Sequence, residues 1–373
     1  MNSVLGNTAT LTPAQMARLL IAYMTGSAIV YIPNPLADAA KQDAWMSLFP
    51  AYGFGALILA GILYLHRKHP GKGLIEYSNQ LLGRFITVPA GILLSVMFLF
   101  AIPAIVAGIG DFFTTVMMKE TPTYVFNSLI FATAALSARS GIVVMARMFM
   151  LLLFVMVLFS VGVMVLAVPL YEPVYLLPML PQGMKGMLHG AFIAGGFPFG
   201  EVFFFSLVLP LAIPKEPGRD NRIAGRMQLG LAFAGLLLLL STLCTVLVFG
   251  PAAGHLKYSL YRLAGEVHIG GAFQRIESVI GIALILGSYM KTTILLFIFN
   301  QMLQQLCRLN DDRLLVYPTA LVCLLLSLTM FRNPSEFNEQ VFVIWPFAVI
   351  GTGGLLIGLL AGLTWLKSRF SGT

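Results

Sequence analysis

Four ionisable residues stand inside stretches of sequence that otherwise carry almost no charge: Asp111, Arg147, Glu201 and Lys291. A charged side chain near the centre of a bilayer costs roughly 2.5–3.5 kcal/mol on insertion scales unless it is paired or faces water. Each is therefore a candidate for coupling, ligand contact or a buried pair. Lys291 lies midway through an apolar run, in Gly287-Ser288-Tyr289-Met290-Lys291-Thr292-Thr293. Ser288, Lys291 and Thr292 share one helix face by three- and four-residue spacing. Glu201 follows Phe197-Pro198-Phe199-Gly200 and opens a new apolar run, so it would cap a half-helix near mid-membrane. It is either proton-linked or a cap stabilised by the helix dipole. Asp111 belongs to a stripe with Ala104, Ala107, Gly108, Thr114 and Thr115, a face that packs closely or lines a cavity. Its place towards the end of its span also lets it reach the surface. Arg147 follows Arg139-Ser140-Gly141 and reads as a snorkelling anchor or an internal salt-bridge partner.

Two runs of helix-breaking residues stand near these charges: Thr25-Gly26-Ser27-Ala28, and Gly195-Gly196-Phe197-Pro198-Phe199-Gly200. A break inside a membrane helix leaves backbone groups unpaired, which is tolerated only where protein, ligand or a water-lined cavity satisfies them. Two breaks at corresponding places in two halves of a chain point to one shared site. The half-helix from Ile29 to Leu36 would present its N-terminus to an anionic group such as a carboxylate. Close helix packing through small residues is the alternative use of Gly26 and Ser27. The expected ligand-binding set is Thr25, Gly26, Ser27, Ala28, Ala107, Gly108, Gly195, Gly196, Phe197, Gly200 and Ser288. Glu201, Lys291, Asp111 and Arg147 would serve as coupling or structural charges.

The elements that must position these residues follow from composition. Of 373 residues, 58% are hydrophobic and 10% charged, with a mean hydropathy of +0.88, which marks an all-α polytopic membrane protein. Windows of about twenty apolar residues give ten spans: Gln15–Leu36, Trp45–Leu65, Phe85–Met118, Tyr124–Leu136, Ile142–Leu170, Lys185–Ile213, Met227–Gly250, Gln274–Leu306, Leu314–Phe331 and Val341–Leu366. The loops after even-numbered spans, with the C-terminus, carry Arg67, Lys68, Lys72, Arg84, Arg139, Lys215, Arg219, Arg222, Arg226, Arg308, Arg313, Lys367 and Arg369. The opposite loops carry Lys41, Lys119, Lys257, Arg262 and Arg332. This asymmetry predicts cytoplasmic termini, and no cleavable signal peptide is expected.

Spans three and eight are both unusually long, and the breaks fall in spans one and six. One membrane domain, 1–373, is expected, with one repeat at about residues 12–170 and a second at about 183–367. An odd number of spans per repeat inverts the second relative to the first. A five-plus-five inverted repeat with broken helices 1 and 6 is the pattern of LeuT-like transporters. In such folds the eighth span lines a coupling-ion site, where the Lys291 ammonium can stand in for a cation; a structural pair with a carboxylate is the alternative.

Other chemistries find no footing. The three cysteines predict neither disulfide nor metal site. The five histidines are scattered, and no nucleophile triad or nucleotide-binding signature is found in a suitable context. No enzyme activity, cofactor, metal or nucleic-acid partner is expected. The positive balance reports orientation in a lipid bilayer.

Short strings in order along the chain carry a family resemblance. They are Leu11-Thr12 to Gln15, Gly26-Ser27-Ala28 with Ile32-Pro33, Gln42-Asp43-Ala44-Trp45-Met46-Ser47, and Gly73-Leu74-Ile75-Glu76-Tyr77 before Leu82-Gly83. Further along come Glu120-Thr121-Pro122, Gly141 to Arg147, Leu177-Pro178-Met179-Leu180, Val248-Phe249-Gly250 and Arg275-Ile276-Glu277. The chain resembles the permease-like B subunit of nutrient germinant receptors of bacterial endospores, within the amino acid–polyamine–organocation superfamily. Lys41 and Phe273-Gln274 depart from the family pattern, away from the expected site. The resemblance implies a small nutrient ligand, amino acid or sugar, a germinant receptor A subunit and a lipoprotein C subunit as partners, and a place in the spore inner membrane. A proton- or cation-coupled amino-acid transporter is the alternative function.

Overall fold

The structure is a computed structural model that describes residues 11–180, 183–212, 220–267, 275–309, 311 and 313–370. Lys215, Arg219, Phe273, Gln274 and the expected end of span six at Ile213 lie outside the described residues. Among the described residues every regular element is helical. In chain order these are α1 (Pro13–Thr25), α2 (Ala28–Tyr31), α3 (Pro33–Ala40), α4 (Leu48–Lys68), α5 (Leu74–Leu82), α6 (Arg84–Phe112), α7 (Thr123–Arg139) and α8 (Ile142–Leu166). They continue with α9 (Met184–Ala194), α10 (Asp220–Phe249), α11 (Ser259–Glu266), α12 (Glu277–Cys307), α13 (Val316–Thr329), α14 (Pro334–Glu339), α15 (Trp345–Ala348) and α16 (Leu355–Phe370). Short tighter or wider turns link several of them.

Helical segments occupy all ten expected places, but they are not equal. Seven runs are long and apolar enough to cross a bilayer, and the bent pair Pro13–Tyr31 with Pro33–Asp43 makes an eighth. The other two, α7 with 17 residues and α13 with 14, reach only about 26 and 21 Å at 1.5 Å per residue, short of a 30 Å hydrocarbon core. Length does not single out the third and eighth spans either. The runs Arg222–His255 and Pro334–Arg369 have 34 and 36 residues, beside 34 for Arg84–Met117 and 31 for Glu277–Cys307. Two short amphipathic helices, α5 and α11, stand where loops were expected. Gly73 starts α5, and its N–H donates to Glu76 Oε2 at 3.0 Å, a cap that the spacing of those residues already encodes.

Burial places the interrupted helices at the centre. The run Met184–Leu207 has 89% of its most apolar window buried, against 33% for Ile142–Leu166. The first helix is started by Thr12 and Gln15, whose side chains cap each other's backbone N–H groups. It stops at Thr25, resumes at Ala28 and bends by 57° at Ile32. The sharp turn therefore falls six residues, nearly two helical turns, after the expected break at Gly26. Proline is the cause: Pro33 has no N–H to give the Ile29 carbonyl four residues back. Ser241 of α10 supplies the missing donor, its hydroxyl 2.7 Å from the Ile29 oxygen.

Gly26 itself makes a backbone crossing. A Cβ there would stand 2.7 Å from the Gly287 carbonyl oxygen of α12, and a Cβ at Gly287 would run into the Gly26 carbonyl. Helices in lipid associate through such close approaches, because lipid tails are as apolar as the side chains they replace. Gly287→Val should lower the thermal midpoint of detergent-purified protein, an overpacking effect of about 1–3 kcal/mol. Gly358→Val, where a Cβ meets nothing within 4 Å, should leave it unchanged; equal midpoints for the two variants would contradict the crossing.

Candidate functional site

The α1–α12 crossing presents Lys291 to the second break. Lys291 Nζ lies 2.6 Å from Glu201 Oε2, with the lysine side chain fully buried and the glutamate 3% exposed. The Tyr23 hydroxyl donates to the same oxygen at 3.2 Å, and the Trp345 indole N–H donates to Oε1 at 2.8 Å. The ammonium faces two rings, 4.2 Å from the Phe197 centroid and 4.8 Å from that of Tyr23, both within cation–π range. One carboxylate thus ties together α1, the second break, α12 and α15.

Local sequence explains how Glu201 arrives there. After α9 the backbone turns out of helical geometry at Phe197, with φ −133° and ψ 115°, then winds tightly from Gly200 to Leu207. Gly196 lies against Pro346 and Gly200 against both the Gly195 carbonyl and Val349, contacts that leave no room for a Cβ. Gly196 and Gly200 therefore serve close packing on the last span, whereas a Cβ at Gly195 would meet only Phe54, at 3.8 Å.

A cavity of about 40 Å³ opens beside the pair, lined by Ser27, Tyr31, Gly108, Phe197, Glu201 and Trp345 and walled by Phe100, Phe337 and Phe342. It has room for a few water molecules and is far below the 300 Å³ of a usual small-molecule pocket. A second cavity of about 240 Å³ lies towards the far end of α6, lined in part by Ala107, Asp111, Lys257, Arg332 and Asn333. Phe337 lines both. Gly108 permits this closure: a Cβ there would be 3.0 Å from the Tyr31 hydroxyl and 3.3 Å from Phe337 Cζ.

Asp111 belongs to that outer cavity. It accepts hydrogen bonds from Lys257, at 2.5 Å, and from the Tyr258 hydroxyl. Burial first, then the neighbouring Tyr31 and Asp111, hold the Tyr258 phenol well above its usual pKa, so it remains a donor. The Asp111–Lys257 pair is partly exposed, with side chains at 30% and 42%, and is screened accordingly.

The structure thus unites Glu201 with Lys291 and sends Asp111 elsewhere. Arg147 is exposed on α8 and makes no ion pair among the described residues. Of the expected ligand set, Ser27, Gly108 and Phe197 line the inner cavity and Ala107 the outer one. Thr25 does not, because its hydroxyl returns to the Ile21 carbonyl at 2.7 Å. Gly26, Gly195, Gly196, Gly200 and the buried Ala28 are not among the lining residues either. Ser288 is buried with no hydrogen-bond partner for its hydroxyl. Residues the sequence did not single out include Tyr23, Tyr31, Phe100, Trp345 and Gly287. Only Gly287 carried a readable signal, as a small residue one turn before Lys291 on the same face.

Residues 10–335 match the family described as spore germination proteins, the spore permeases. The chain belongs to that family. Spore germination protein KB of Bacillus subtilis (strain 168) is 24% identical over 336 residues, covering 88% of each chain. Spore germination protein YndE of the same strain is 24% identical over 220 residues, 56% of this chain and 58% of its own. Among solved structures, the nucleobase-cation-symport-1 transporter Mhp1, closed around bromovinylhydantoin, superposes with a TM-score of 0.70 at 14% identity, covering 96% of this chain and 81% of its own. MhsT in complex with L-phenylalanine gives 0.65 at 13%, with 96% and 89% covered. The family member therefore has the LeuT-like transporter fold, is a multi-pass membrane protein, and is a permease relative rather than an enzyme.

The buried pair makes a sharp energetic statement. Removing one partner of such a pair costs about 3–5 kcal/mol, whereas replacing both with apolar residues of like volume is often neutral. Lys291→Met and Glu201→Leu alone should each lower the unfolding midpoint strongly, and the double variant should recover most of the loss. A double variant as unstable as the two losses added together would show that the two charges do not act as a pair.

Proposed function

We propose that this chain is the nutrient-sensing transmembrane subunit of a spore germinant receptor, in the spore inner membrane with both termini cytoplasmic. It binds a small nutrient, amino acid or sugar, at the inner cavity and signals through an A subunit and a lipoprotein C subunit. One observation carries the reading: Ser27 at the first break, the Glu201 carboxylate at the second and an aromatic wall meet around one cavity at the centre of the fold. Chemically this suits a ligand with one polar, hydrogen-bonding end and an apolar remainder. At its present volume the cavity is in a closed form, and binding must favour an expanded one; that differential affinity is what a partner would read.

The test fills the cavity without touching the ion pair. Ala104→Leu and Ser27→Val, in spores that carry this receptor as their sole nutrient sensor, should shift the nutrient concentration for half-maximal dipicolinic acid release upward by about tenfold or more, a loss of about 1.4 kcal/mol. Protein abundance in the inner membrane should stay unchanged. An unaltered dose response at normal abundance would refute the site.

A cation-coupled transporter is the second reading, favoured by the fold shared with Mhp1 and MhsT. Counterflow of labelled amino acid in proteoliposomes separates the two. Saturable binding that is independent of sodium and gives no flux supports the receptor, with Lys291 supplying the fixed positive charge. Flux that depends on sodium or on a proton gradient supports transport.

A further inference from the structure

The second and last spans leave the bundle together. Phe54 of α4 faces Gly354, Gly61 faces Ile357, and the His69 imidazole just past α4 hydrogen-bonds the Thr364 hydroxyl of α16 at 3.2 Å. These contacts advance in the same direction along both chains, so α4 and α16 run parallel and end side by side. Basic residues crowd that end: Arg67 and Lys68 close α4, Lys72 follows it, and Lys367 and Arg369 close α16. The chain turns at His69, whose carbonyl accepts from the Lys72 N–H at 3.2 Å. Burial first, then the charges of Lys72 and Lys367, hold the His69 imidazole below its usual pKa, so cations from both helices converge on one ring. None of the five cations makes an ion pair among the described residues, and the carboxylate of nearby Glu76 is bound to the Gly73 N–H.

We infer that this end of the α4–α16 pair binds the headgroup phosphate of an anionic phospholipid. Orientation in a bilayer calls for basic residues somewhere at one end. It does not call for two helices distant in sequence to bring theirs together without a counter-charge. Each helix also continues its cations into an exposed apolar stripe. On α4, Leu57 lies about three turns before Lys68 on the same face; on α16, Leu359 and Leu366 lead to Arg369. Trp365 is exposed at that boundary, with the Arg369 guanidinium 4.4 Å from its ring centroid, a position that indoles take between headgroups and acyl chains. A soluble phosphate would use the cations alone, and an acidic peptide would leave the apolar stripes unused. An anionic phospholipid matches both, and basic clusters beside membrane helices attract such headgroups.

The bound lipid would act on the second break from two sides. Gly55 of α4 packs on Phe199, two residues before Glu201, and the span that ends in α16 carries Trp345, a donor to Glu201. A headgroup bridging Lys68 and Arg369 therefore holds together the two spans that pack on the segment carrying the central carboxylate.

A lipid titration of the full chain in detergent tests the proposal. Phosphatidylglycerol should raise the thermal midpoint saturably, whereas phosphatidylcholine, glycerol 3-phosphate and inorganic phosphate should not. Lys68→Gln with Arg369→Gln should raise the half-maximal phosphatidylglycerol concentration about tenfold and leave the midpoint without lipid unchanged. Arg308→Gln with Arg313→Gln, which remove the same charge after α12, should leave the titration as it was. Equal responses to the two lipids, or an equal loss in both double variants, would overturn the assignment. So would a rise produced as well by glycerol 3-phosphate, which would make the cluster a site for soluble phosphates, or by polyglutamate in place of lipid, which would assign it to an acidic segment of a partner protein.

Discussion

The centre of this molecule is one buried ion pair, and most of the other features at the core serve to make it tolerable. Two charges out of water are expensive, and their mutual attraction repays the cost only with good geometry and every remaining hydrogen-bonding position used. Glu201 meets that condition by accepting from Lys291, Tyr23 and Trp345. Lys291 meets it with one carboxylate and two ring faces. The partners come from the first, sixth, eighth and last spans. The pair joins the Gly26–Gly287 crossing and the Gly196–Pro346 contact in setting the relative placement of these segments, since apolar helices in lipid can slide without hydrophobic penalty.

Backbone exposure is the second constraint, and it is met by side chains from neighbouring helices. Pro33 frees the Ile29 carbonyl, and Ser241 satisfies it from a helix more than two hundred residues away in sequence. The glycines divide between two tasks. Gly26 and Gly287 allow two backbones to touch, whereas Gly108 allows two rings, Tyr31 and Phe337, to close over the inner cavity. Closure by rings differs from closure by backbone. A side chain can swing aside on a rotamer change, while the glycine crossing can open only by moving whole helices. The bundle around α1 and α12 therefore behaves as frame, and the α6–α14 contact is the natural place for movement.

How far this was legible in the sequence follows from what kind of signal each feature leaves. Ten hydrophobic stretches and two breaks leave a local signal, so the architecture was readable from periodicity and punctuation. Lengths were less so: α13 is shorter than the expected Leu314–Phe331 and α7 longer than the expected Tyr124–Leu136, because helix ends depend on packing rather than composition. Glu201 and Lys291 were visible as charges out of place, yet nothing local told Lys291 to choose Glu201 rather than Asp111; that choice is made by the crossing of α1 and α12. The cavity wall was the least legible part. Trp345, Phe100 and Tyr31 look like any aromatic residue in an apolar run, and only their convergence distinguishes them. Thr25 and Gly200 stood out locally but are consumed by local bonds and packing.

The same pair also discriminates between modes of coupling. A cation binding beside Glu201 would approach an ammonium already in contact with that carboxylate. Two like charges 4 Å apart repel by about 4 kcal/mol at an effective dielectric constant of 20, before any desolvation of the incoming ion. Lys291 would have to leave first, and its route is blocked by Phe197 and Tyr23, whose rings it touches. A proton meets no such obstacle, because it can move between groups without displacing a side chain. A neutral or zwitterionic ligand meets none either, since it can approach Glu201 from the cavity side, where Ser27 and Trp345 stand, and leave the ammonium in place. The geometry therefore favours a binding event that perturbs the pair over one that exchanges a metal cation for it. Under the proposed nutrient-sensing function the ion pair would be the latch whose partners a ligand rearranges; proton coupling is equally compatible with this geometry.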